Sequence, residues 1–237
     1  MNEVFAAFSK SLRDLTRTEV LWQLLWPALA ALVLWLVLGV ALWADGVALM
    51  ERIVPELPWS GWEWLSRWAA VFLLLAAFAA LVYLTAILLV AVFALPRLVN
   101  LVAAHDYPDL GRHGENVFWG SLINTLVVGA IFVVGSLATL PLLLIPGVLL
   151  VLPLLWSSWL NQRTFRFDAL AEHATRSEMR RLVAENRRRF HIAGLGTAAL
   201  AYVPLANLLA PAFTALVFVH LGLAALRHQR QEGGVEL

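Results

Sequence analysis

The feature that most constrains this chain is a run of 47 residues, 116–162, without one charged side chain. A helix on a soluble core must turn a polar face to water every few residues, so a soluble domain has no use for such a run. In the hydrocarbon of a bilayer, about 20 apolar residues are needed for each crossing. Pro141, Pro146 and Gly147 interrupt the run near its middle. We therefore predict two membrane segments that fold back near residues 139–147.

The overall composition indicates the same class of protein. Hydrophobic side chains make up 61% of the 237 residues and charged side chains 14%, against roughly 45–50% and 25% in a soluble domain. Apolar runs recur from Val20 to Leu226, which predicts one all-α, polytopic membrane domain over residues 1–237. The net charge of +1 gives no reason to expect nucleic-acid binding. The absence of cysteine excludes thiolate catalysis and cysteine-based metal sites.

The first 96 residues predict one helix at the membrane surface and two helices across the membrane. Residues 1–19 place apolar side chains at helical spacing, so they either lie in the membrane interface or form a plain solvated lead-in. Residues 20–44 and 68–96 are long enough to be transmembrane helices. The run 20–44 is also too long for the apolar part of a cleavable signal. The polar loop between them, 45–67, is rich in tryptophan, which prefers the headgroup layer.

The last apolar block, residues 192–226, is interrupted at Pro204, Asn207 and Pro211. Its two halves would reach only about 18 and 22 Å as helices, less than a hydrocarbon core of about 30 Å. We therefore predict a re-entrant hairpin whose broken backbone is shielded by protein or water. The Gly194-Leu-Gly196 motif in its first half is expected to let helices approach closely.

Residues 163–191 form the main polar segment, which is predicted to be helical and cytoplasmic. It carries eight arginines, and the spacing of Thr175 and Glu178 is that of a capping box at a helix start. The predicted topology puts 15 of the 17 Lys and Arg residues on one side and only Arg52 and Arg67 on the other. By the positive-inside rule, this segment and both termini face the cytoplasm.

Several stretches, in order along the chain, resemble one family of membrane proteins. They are Phe93-Ala-Leu-Pro96-Arg-Leu-Val, Asp106-Tyr107-Pro108, Gly120-Ser121-Leu-Ile-Asn124, Leu140-Pro141, Trp159-Leu-Asn161-Gln-Arg163-Thr-Phe165-Arg-Phe-Asp168-Ala-Leu, Asn186-Arg-Arg-Arg-Phe, Gly194-Leu-Gly196 and the sequence YVPLANLLAP at 202–211. Together they resemble the etoposide-induced-protein/CysZ-like integral membrane family, of which this chain would be a distant member. The resemblance covers nearly the whole chain.

The resemblance implies a protein of the bacterial inner membrane with two long transmembrane helices, two partly re-entrant helical hairpins, cytoplasmic termini and a homo-oligomeric state. It implies a sulfate-permease-like transporter or channel for a small inorganic anion. The family's anion site uses a Gly-Leu-Arg run at the mouth of the first helix. Judged from Pro27, the equivalent place here reads Glu19-Val20-Leu21, and Arg17 is the nearest arginine. The alternative is a non-transporting membrane scaffold or membrane-shaping protein, which accounts for the hairpins without that run.

The candidate anion-binding residues are arginines of the polar segments and asparagines within apolar runs. Guanidinium groups match the geometry of sulfate, and polar side chains inside a membrane are either paired or part of a pathway. The candidates are Arg17, Arg187, Arg188, Arg189, Asn124, Asn161 and Asn207. Each has a competing structural interpretation, because the arginine cluster can fix topology and contact anionic lipids, and Asn207 can cap a broken helix.

The remaining titratable residues predict no further chemistry. His220 is either a proton relay or, as the commoner case, an interfacial histidine that bonds to headgroups or backbone. Asp168, Glu172 and His173 lack a second histidine at ligand spacing, so no metal is predicted, and Glu172 is expected to pair with Arg176. Neither a nucleophile–base arrangement nor a glycine-rich phosphate loop is recognisable, so we predict no enzyme and no cofactor.

Overall fold

The computed structural model describes residues 2–53, 63–114, 117–203 and 206–234; within these ranges the chain is mostly helical, with short connecting turns and loops, and contains no strand. A π-helical turn joins α4 to α5, and a 3₁₀ turn lies between α6 and α7. This confirms the predicted all-α fold. The helices are α1 (Asn2–Leu15), α2 (Thr18–Ala41), α3 (Trp43–Ile53), α4 (Glu63–Leu89), α5 (Leu95–Asp106), α6 (Val117–Thr139), α7 (Val148–Ala171), α8 (Arg176–Glu185), α9 (Arg187–Leu200) and α10 (Ala206–Gly233).

Four stretches of helix are long and apolar enough to cross a membrane: Thr18–Ala41, Trp64–Ala86, Val117–Leu144 and Leu209–Gly233. The first three bury between 6% and 11% of their most apolar windows inside the protein, whereas the fourth buries 78%. Apolar surface exposed to that extent belongs against lipid rather than water. The chain is therefore a multi-pass membrane protein, and the two long predicted crossings are both helical.

Contacts within the chain group into two compact units, Met1–Val20 with Leu95–Leu237, and Leu21–Ala94. In the second unit, Trp35 Nε1 of α2 donates a hydrogen bond of 2.8 Å to Thr85 Oγ1 of α4. A polar side chain within an apolar helix is thus paired with a neighbouring helix, as lipid requires. The single domain predicted over 1–237 stays a prediction.

Part of the predicted tryptophan-rich loop is helical. Residues Trp43–Ile53 form α3, and α4 begins at Glu63, so the loop prediction is wrong at both of its ends. The polar composition predicted a loop there, but α3 contains only one strong helix breaker, Gly46. Gly46 lies close to α4, since a Cβ on it would lie 3.0 Å from Leu74 Cδ1. Residues 54–62, with two of the loop's tryptophans, lie outside the described residues.

The uncharged run folds back where the sequence predicts. Helix α6 ends at Thr139, and Gly147 takes a positive φ of 85° immediately before α7. Trp156 Nε1 of α7 donates to Thr139 Oγ1 at 3.0 Å and closes the hairpin. The second arm is longer than expected, because α7 continues past Gln162 to Ala171, over a polar stretch that contains no helix-breaking residue.

Helix α10 is the centre of the first unit, where α1, α5, α7 and α9 all pack against it. The predicted break at Pro211 is wrong. Pro211 is the sixth residue of α10, and the helix continues through it although the proline removes the N–H that would bond to the Asn207 carbonyl. The expected short half is therefore a 28-residue helix, and the re-entrant arrangement of this block stays a prediction. Buried apolar side chains of α10 include Phe213, Leu216, Val217, Phe218, Val219, Leu221, Leu223 and Leu226.

Helix α1 packs on the protein through one face and exposes apolar residues on another. Val4, Ala7, Ser11 and Asp14 are buried, while Phe5 and Leu12 of the predicted apolar side are exposed. Of the two interpretations of residues 1–19, a helix with an apolar face left for the membrane interface fits better than a solvated lead-in.

Helix α9 approaches its neighbours closely through the predicted glycine motif. A Cβ on Gly194 would lie 2.8 Å from the carbonyl oxygen of Ser158 in α7. A Cβ on Gly196 would lie 2.8 Å from the ring of Phe8 in α1. The close approach expected from the Gly-Leu-Gly spacing is confirmed.

We expect Gly194→Ala to lower the thermal stability of the purified protein, because the added methyl group overlaps a backbone atom and overpacking costs about 1–3 kcal/mol. Gly129→Ala in α6 is the matched control, since a Cβ there meets nothing within 4 Å. Both substitutions gain the same helix propensity, so the control should be neutral or slightly stabilising. Thermal unfolding in detergent, followed by tryptophan fluorescence, measures the difference; equal melting temperatures would contradict this packing.

Candidate functional site

A cavity of about 820 Å³ lies in the first unit between α6, the end of α7 and the start of α8. One wall is apolar and includes Ile123 and Val127 of α6 and Phe167 of α7. The other wall is polar and basic. Its side chains are His113, Asn124, Thr175, Arg176, Ser177 and Arg180.

The basic wall depends on the start of α8, which is held by the predicted capping box. The Thr175 side chain accepts a hydrogen bond from the Glu178 backbone N–H at 3.3 Å, and Glu178 Oε2 accepts one from the Thr175 backbone N–H at 2.8 Å. Two of the orphan donors of this helix start are therefore satisfied within the protein. Arg176 and Arg180 follow four residues apart, so they project from one face of α8.

Neither arginine of the cavity has a carboxylate partner in the described parts of the chain. The expected pair between Glu172 and Arg176 is wrong, because α7 ends at Ala171 and the two residues do not share a helix. Glu172 instead accepts from Arg112 Nη1 at 2.8 Å. No acidic side chain of the described residues lines the cavity, so the guanidinium groups of Arg176 and Arg180 are available to an anion.

The loop that carries His113 is tied to the end of α7 by its backbone. The N–H of His113 donates to the carbonyl of His173 at 3.3 Å, and that of Gly114 donates to the carbonyl of Glu172 at 3.0 Å. A Cβ on Gly114 would lie 1.9 Å from the Ala171 carbonyl oxygen, so this approach requires glycine. The loop before α6 and the loop after α7 thus form one rim of the cavity.

Arg230, from the last turn of α10, donates hydrogen bonds to both loops of this rim. Its guanidinium is 1% exposed and donates to Glu178 Oε1 at 2.9 Å, the Gly111 carbonyl at 3.1 Å and the His173 carbonyl at 2.7 Å. Burial alone would raise the pKa of Glu178, but hydrogen bonds from Arg230 and Thr175 bring that pKa below its ordinary value. The ionised carboxylate therefore serves both the capping box and Arg230.

A hydrogen bond also joins the two helices of the apolar wall. Ser121 Oγ of α6 donates to Asp168 Oδ1 of α7 at 2.8 Å. Burial raises the pKa of Asp168 to about 6, against the opposing effect of the Ser121 hydrogen bond. The Asp168 carboxyl is therefore more easily protonated than that of Glu178, whose pKa is lowered.

The sequence profile of a protein family, described as sulfate transporter CysZ/etoposide-induced protein 2.4, matches residues 7–211. The chain belongs to this family. The resemblance noted in the sequence is therefore confirmed, and the matched range contains every residue of the cavity wall. The chain matches neither a curated protein nor a solved structure.

Of the seven anion-binding residues predicted for this CysZ-family chain, Asn124 lines the cavity and the other six are not in its wall. Asn124 Nδ2 makes one long contact, 3.5 Å, to the Arg163 carbonyl. Asn161 is half-buried in α7, and Asn207 is exposed in the first turn of α10. All three asparagines stay predictions as ligands.

The predicted arginines lie elsewhere on the first unit. Arg17 Nε is 3.2 Å from Asp14 Oδ1, so this guanidinium is already paired. Arg189 pairs with Glu3 at 2.6 Å, which ties α9 to α1. Arg187 and Arg188 are exposed on α9. The structure does not bring this set together with Asn124, and the roles of these arginines as ligands stay predictions.

The sequence interpretation left out the residues that give the cavity its charge. Arg176 is predicted from the sequence only to pair with Glu172, and Arg180 is not among the candidate anion-binding residues, although their spacing of four after a recognisable capping box marks them as neighbours on one helix face. His113 carries no such signal, because its position depends on the long-range pairing of two loops.

His220 is 1% exposed and bonds to Asp14, so the interfacial interpretation of this residue is wrong. Asp14, Asp106 and His220 bring three potential metal-ligating atoms within 4.8 Å of one another. The Arg17 guanidinium beside Asp14 already supplies a cation there, which disfavours a second one. We assign no metal to this cluster.

We expect Arg230→Gln to destabilise this CysZ-family protein strongly, because it leaves buried carbonyl groups and the Glu178 carboxylate without their donor. Loss of one partner of a buried charge pair typically costs about 3–5 kcal/mol. Arg181→Gln is the matched control, since Arg181 pairs with Glu185 on the exposed side of the same α8 region. Thermal unfolding of both variants measures the difference. An unchanged melting temperature for Arg230→Gln would show that the hydrogen bonds of Arg230 do not stabilise the protein.

Proposed function

We propose that the chain is an inner-membrane transporter or channel for a small inorganic anion such as sulfate, and that the cavity between α6, α7 and α8 is where the anion is held. Family membership makes an oxyanion the first candidate. The cavity is large enough for a sulfate ion together with part of its hydration water.

One observation carries this proposal: two guanidinium groups without carboxylate partners in the described residues line the same cavity. Arginine binds tetrahedral oxyanions through paired, charge-assisted hydrogen bonds, each of which is about twice as strong as a neutral one. The hydroxyl groups of Thr175 and Ser177 and the amide of Asn124 add neutral donors beside them. Such a mixture can bind an anion and release it again.

In this proposal the cavity takes over the anion-binding role of the family's Gly-Leu-Arg run. The position of that run here holds Glu19-Val20-Leu21. The nearest arginine, Arg17, is engaged by Asp14. An anion that requires a free guanidinium therefore finds a better partner in Arg176 or Arg180. The exposed Arg187 and Arg188 can still gather anions at the surface.

We expect the double variant Arg176→Gln, Arg180→Gln to slow sulfate flux into proteoliposomes on the order of tenfold or more, because each charge-assisted bond to an oxyanion is worth about 1.5–3 kcal/mol. Radiolabelled sulfate uptake by the reconstituted protein measures this. Arg13→Gln together with Arg181→Gln removes the same net charge from exposed positions outside the cavity wall and should leave the flux nearly unchanged.

Two outcomes would contradict the proposal, and they differ in meaning. Equal flux in the wild type and the cavity variant would show that the cavity is not part of the transport pathway. No flux and no thermal shift of the wild type across a panel of anions that includes sulfate would favour the non-transporting scaffold instead.

We further propose that both termini and the arginine-rich segment lie in the cytoplasm. The support is the asymmetry of basic residues, because only Arg52 and Arg67 fall between the first two predicted crossings.

Reporter fusions test this orientation. A reporter inserted at Gly61 and a reporter fused after Gly233 should report opposite sides of the membrane, the latter cytoplasmic. An intact chain carrying each fusion should be confirmed by immunoblot. Reporters that give the same side for both positions would overturn the topology.

A further inference from the structure

Two arginines near the end of α7 lie over aromatic rings instead of pairing with carboxylates. Arg163 Cζ is 5.5 Å from the centroid of the Trp159 ring, and Arg166 Cζ is 5.5 Å from that of Phe190 in α9. Within the described parts of the chain, neither guanidinium makes a hydrogen bond or an ion pair. A ring face attracts a cation but leaves the five N–H donors of each guanidinium without a strong acceptor. Neither arginine belongs to the wall of the proposed anion cavity, so this pair is independent of the proposed function.

Both rings beneath the arginines are fixed by other contacts. Trp159 meets the ring of Trp156 edge-on at 5.9 Å, and Trp156 donates its hydrogen bond to Thr139. Phe190 is buried and stacks on Phe218 of α10, with the ring planes 9° apart. A guanidinium that already lies on a fixed surface has less freedom to lose when it binds a ligand.

The pair carries a positive charge that nearby acidic groups do not neutralise. The two acidic residues that follow in the sequence are engaged elsewhere, since Asp168 accepts from a serine of α6 and Glu172 pairs with Arg112. Arg163 and Arg166 are three residues apart and therefore neighbours on the helix surface. Burial and, second, the charge of Arg163 lower the pKa of Arg166 to about 10, so both side chains remain cationic at neutral pH.

The arginines lie at the border between the uncharged run and the headgroup layer. Asn124 of α6 contacts the carbonyl of Arg163, which places this residue about 7.5 Å along the hairpin from the exposed Trp119. Exposed tryptophan near the end of a membrane span is typical of the headgroup layer. On the other side of Arg163, α7 continues into the uncharged run 116–162, where Leu155 is exposed. An unpaired charge this close to hydrocarbon is costly unless an anion reaches it.

We propose that Arg163 and Arg166 together bind the phosphate group of an anionic phospholipid, whose acyl chains lie against the exposed apolar side of the α6–α7 hairpin. The two guanidinium groups can donate paired hydrogen bonds to the phosphate oxygens, a geometry that lysine does not offer. At this depth, the bilayer itself supplies phosphate at high local concentration. A soluble oxyanion has similar oxygen atoms but no acyl chains to hold it there.

The charge of the lipid headgroup determines which phospholipid fits. A choline headgroup would bring a second cation towards two guanidinium groups, whereas a glycerol headgroup adds only neutral hydroxyl groups. Phosphatidylglycerol is therefore expected to bind more tightly than phosphatidylcholine with the same acyl chains.

Native mass spectrometry of the delipidated full-length protein tests this proposal. The protein in detergent is titrated with dioleoyl-phosphatidylglycerol or with dioleoyl-phosphatidylcholine, and the lipid-bound fraction is measured. The wild type should prefer phosphatidylglycerol. The double variant Arg163→Gln, Arg166→Gln should bind it on the order of tenfold more weakly and lose most of this preference, because it lacks the charge-assisted bonds. Arg13→Gln together with Arg181→Gln removes the same net charge from exposed positions and should keep the wild-type preference.

Equal binding of the two lipids by the wild type would overturn the proposal, as would an equal loss of preference in the control variant. Inorganic phosphate and sulfate form a separate arm, read by the melting temperature of the lipid-free protein. If either ion alone raises that temperature as much as phosphatidylglycerol does, and only when both arginines are present, the site binds a soluble anion and the lipid proposal is wrong.

The single variant Arg163→Gln keeps the test decisive if the double variant fails to fold. Arg163 is exposed, so its replacement should not disturb packing, and part of the lipid preference should still be lost. In that case, full wild-type preference in Arg163→Gln would overturn the proposal. Sulfate flux is not measured in any arm, so these results do not depend on whether the protein transports an anion.

Discussion

The packing of the first unit depends on one helix that is as apolar as a membrane span and yet is enclosed by protein. The most apolar window of α10 is 78% buried, whereas those of the other three candidate spans are between 6% and 11% buried. Lipid offers no hydrogen bonds, so polar groups on an enclosed helix must find partners within the protein. Helices α1, α5, α7 and α9 pack against α10. The hydrogen-bond partners come from α1, α8 and loop residues.

Two buried polar side chains of α10, at different heights along the helix, make several hydrogen bonds each. His220 is bonded by α1 and by the residue after α5, and Arg230, almost three turns later, is bonded by α8 and by two loop carbonyls. Each arrangement joins segments that are far apart in sequence. Buried charges of this kind are costly when one partner is lost, so they select one arrangement of helices from the many that apolar packing would allow.

The parts of this fold that could be read from the sequence are those set by local physics. The absence of charge over 116–162, with Gly147 and its neighbouring prolines, predicts the hairpin, because lipid tolerates no other use of that run. The capping box of Thr175 and Glu178 and the close approach at Gly194 are also local patterns, and both are present.

The parts that could not be read depend on distant contacts. Pro211 looks like a break in the sequence, but α10, which packs against α1, α5, α7 and α9, continues through it. Asp14 and His220 are 206 residues apart, and no spacing rule joins them. The cavity could be anticipated only in part, since Arg176 and Arg180 share a predictable helix face while His113 reaches it through loop pairing.

Helix α8 is anchored at its start from two directions, by its own capping box and by the end of α10, and both anchors meet on the carboxylate of Glu178. Arg176 and Arg180 belong to the same ten-residue helix that Arg230 restrains, so an anion bound by these two arginines would act on that helix. The end of α10 and the helix that carries both cavity arginines are therefore joined through a single side chain, so a change of Glu178 would alter both contacts at once.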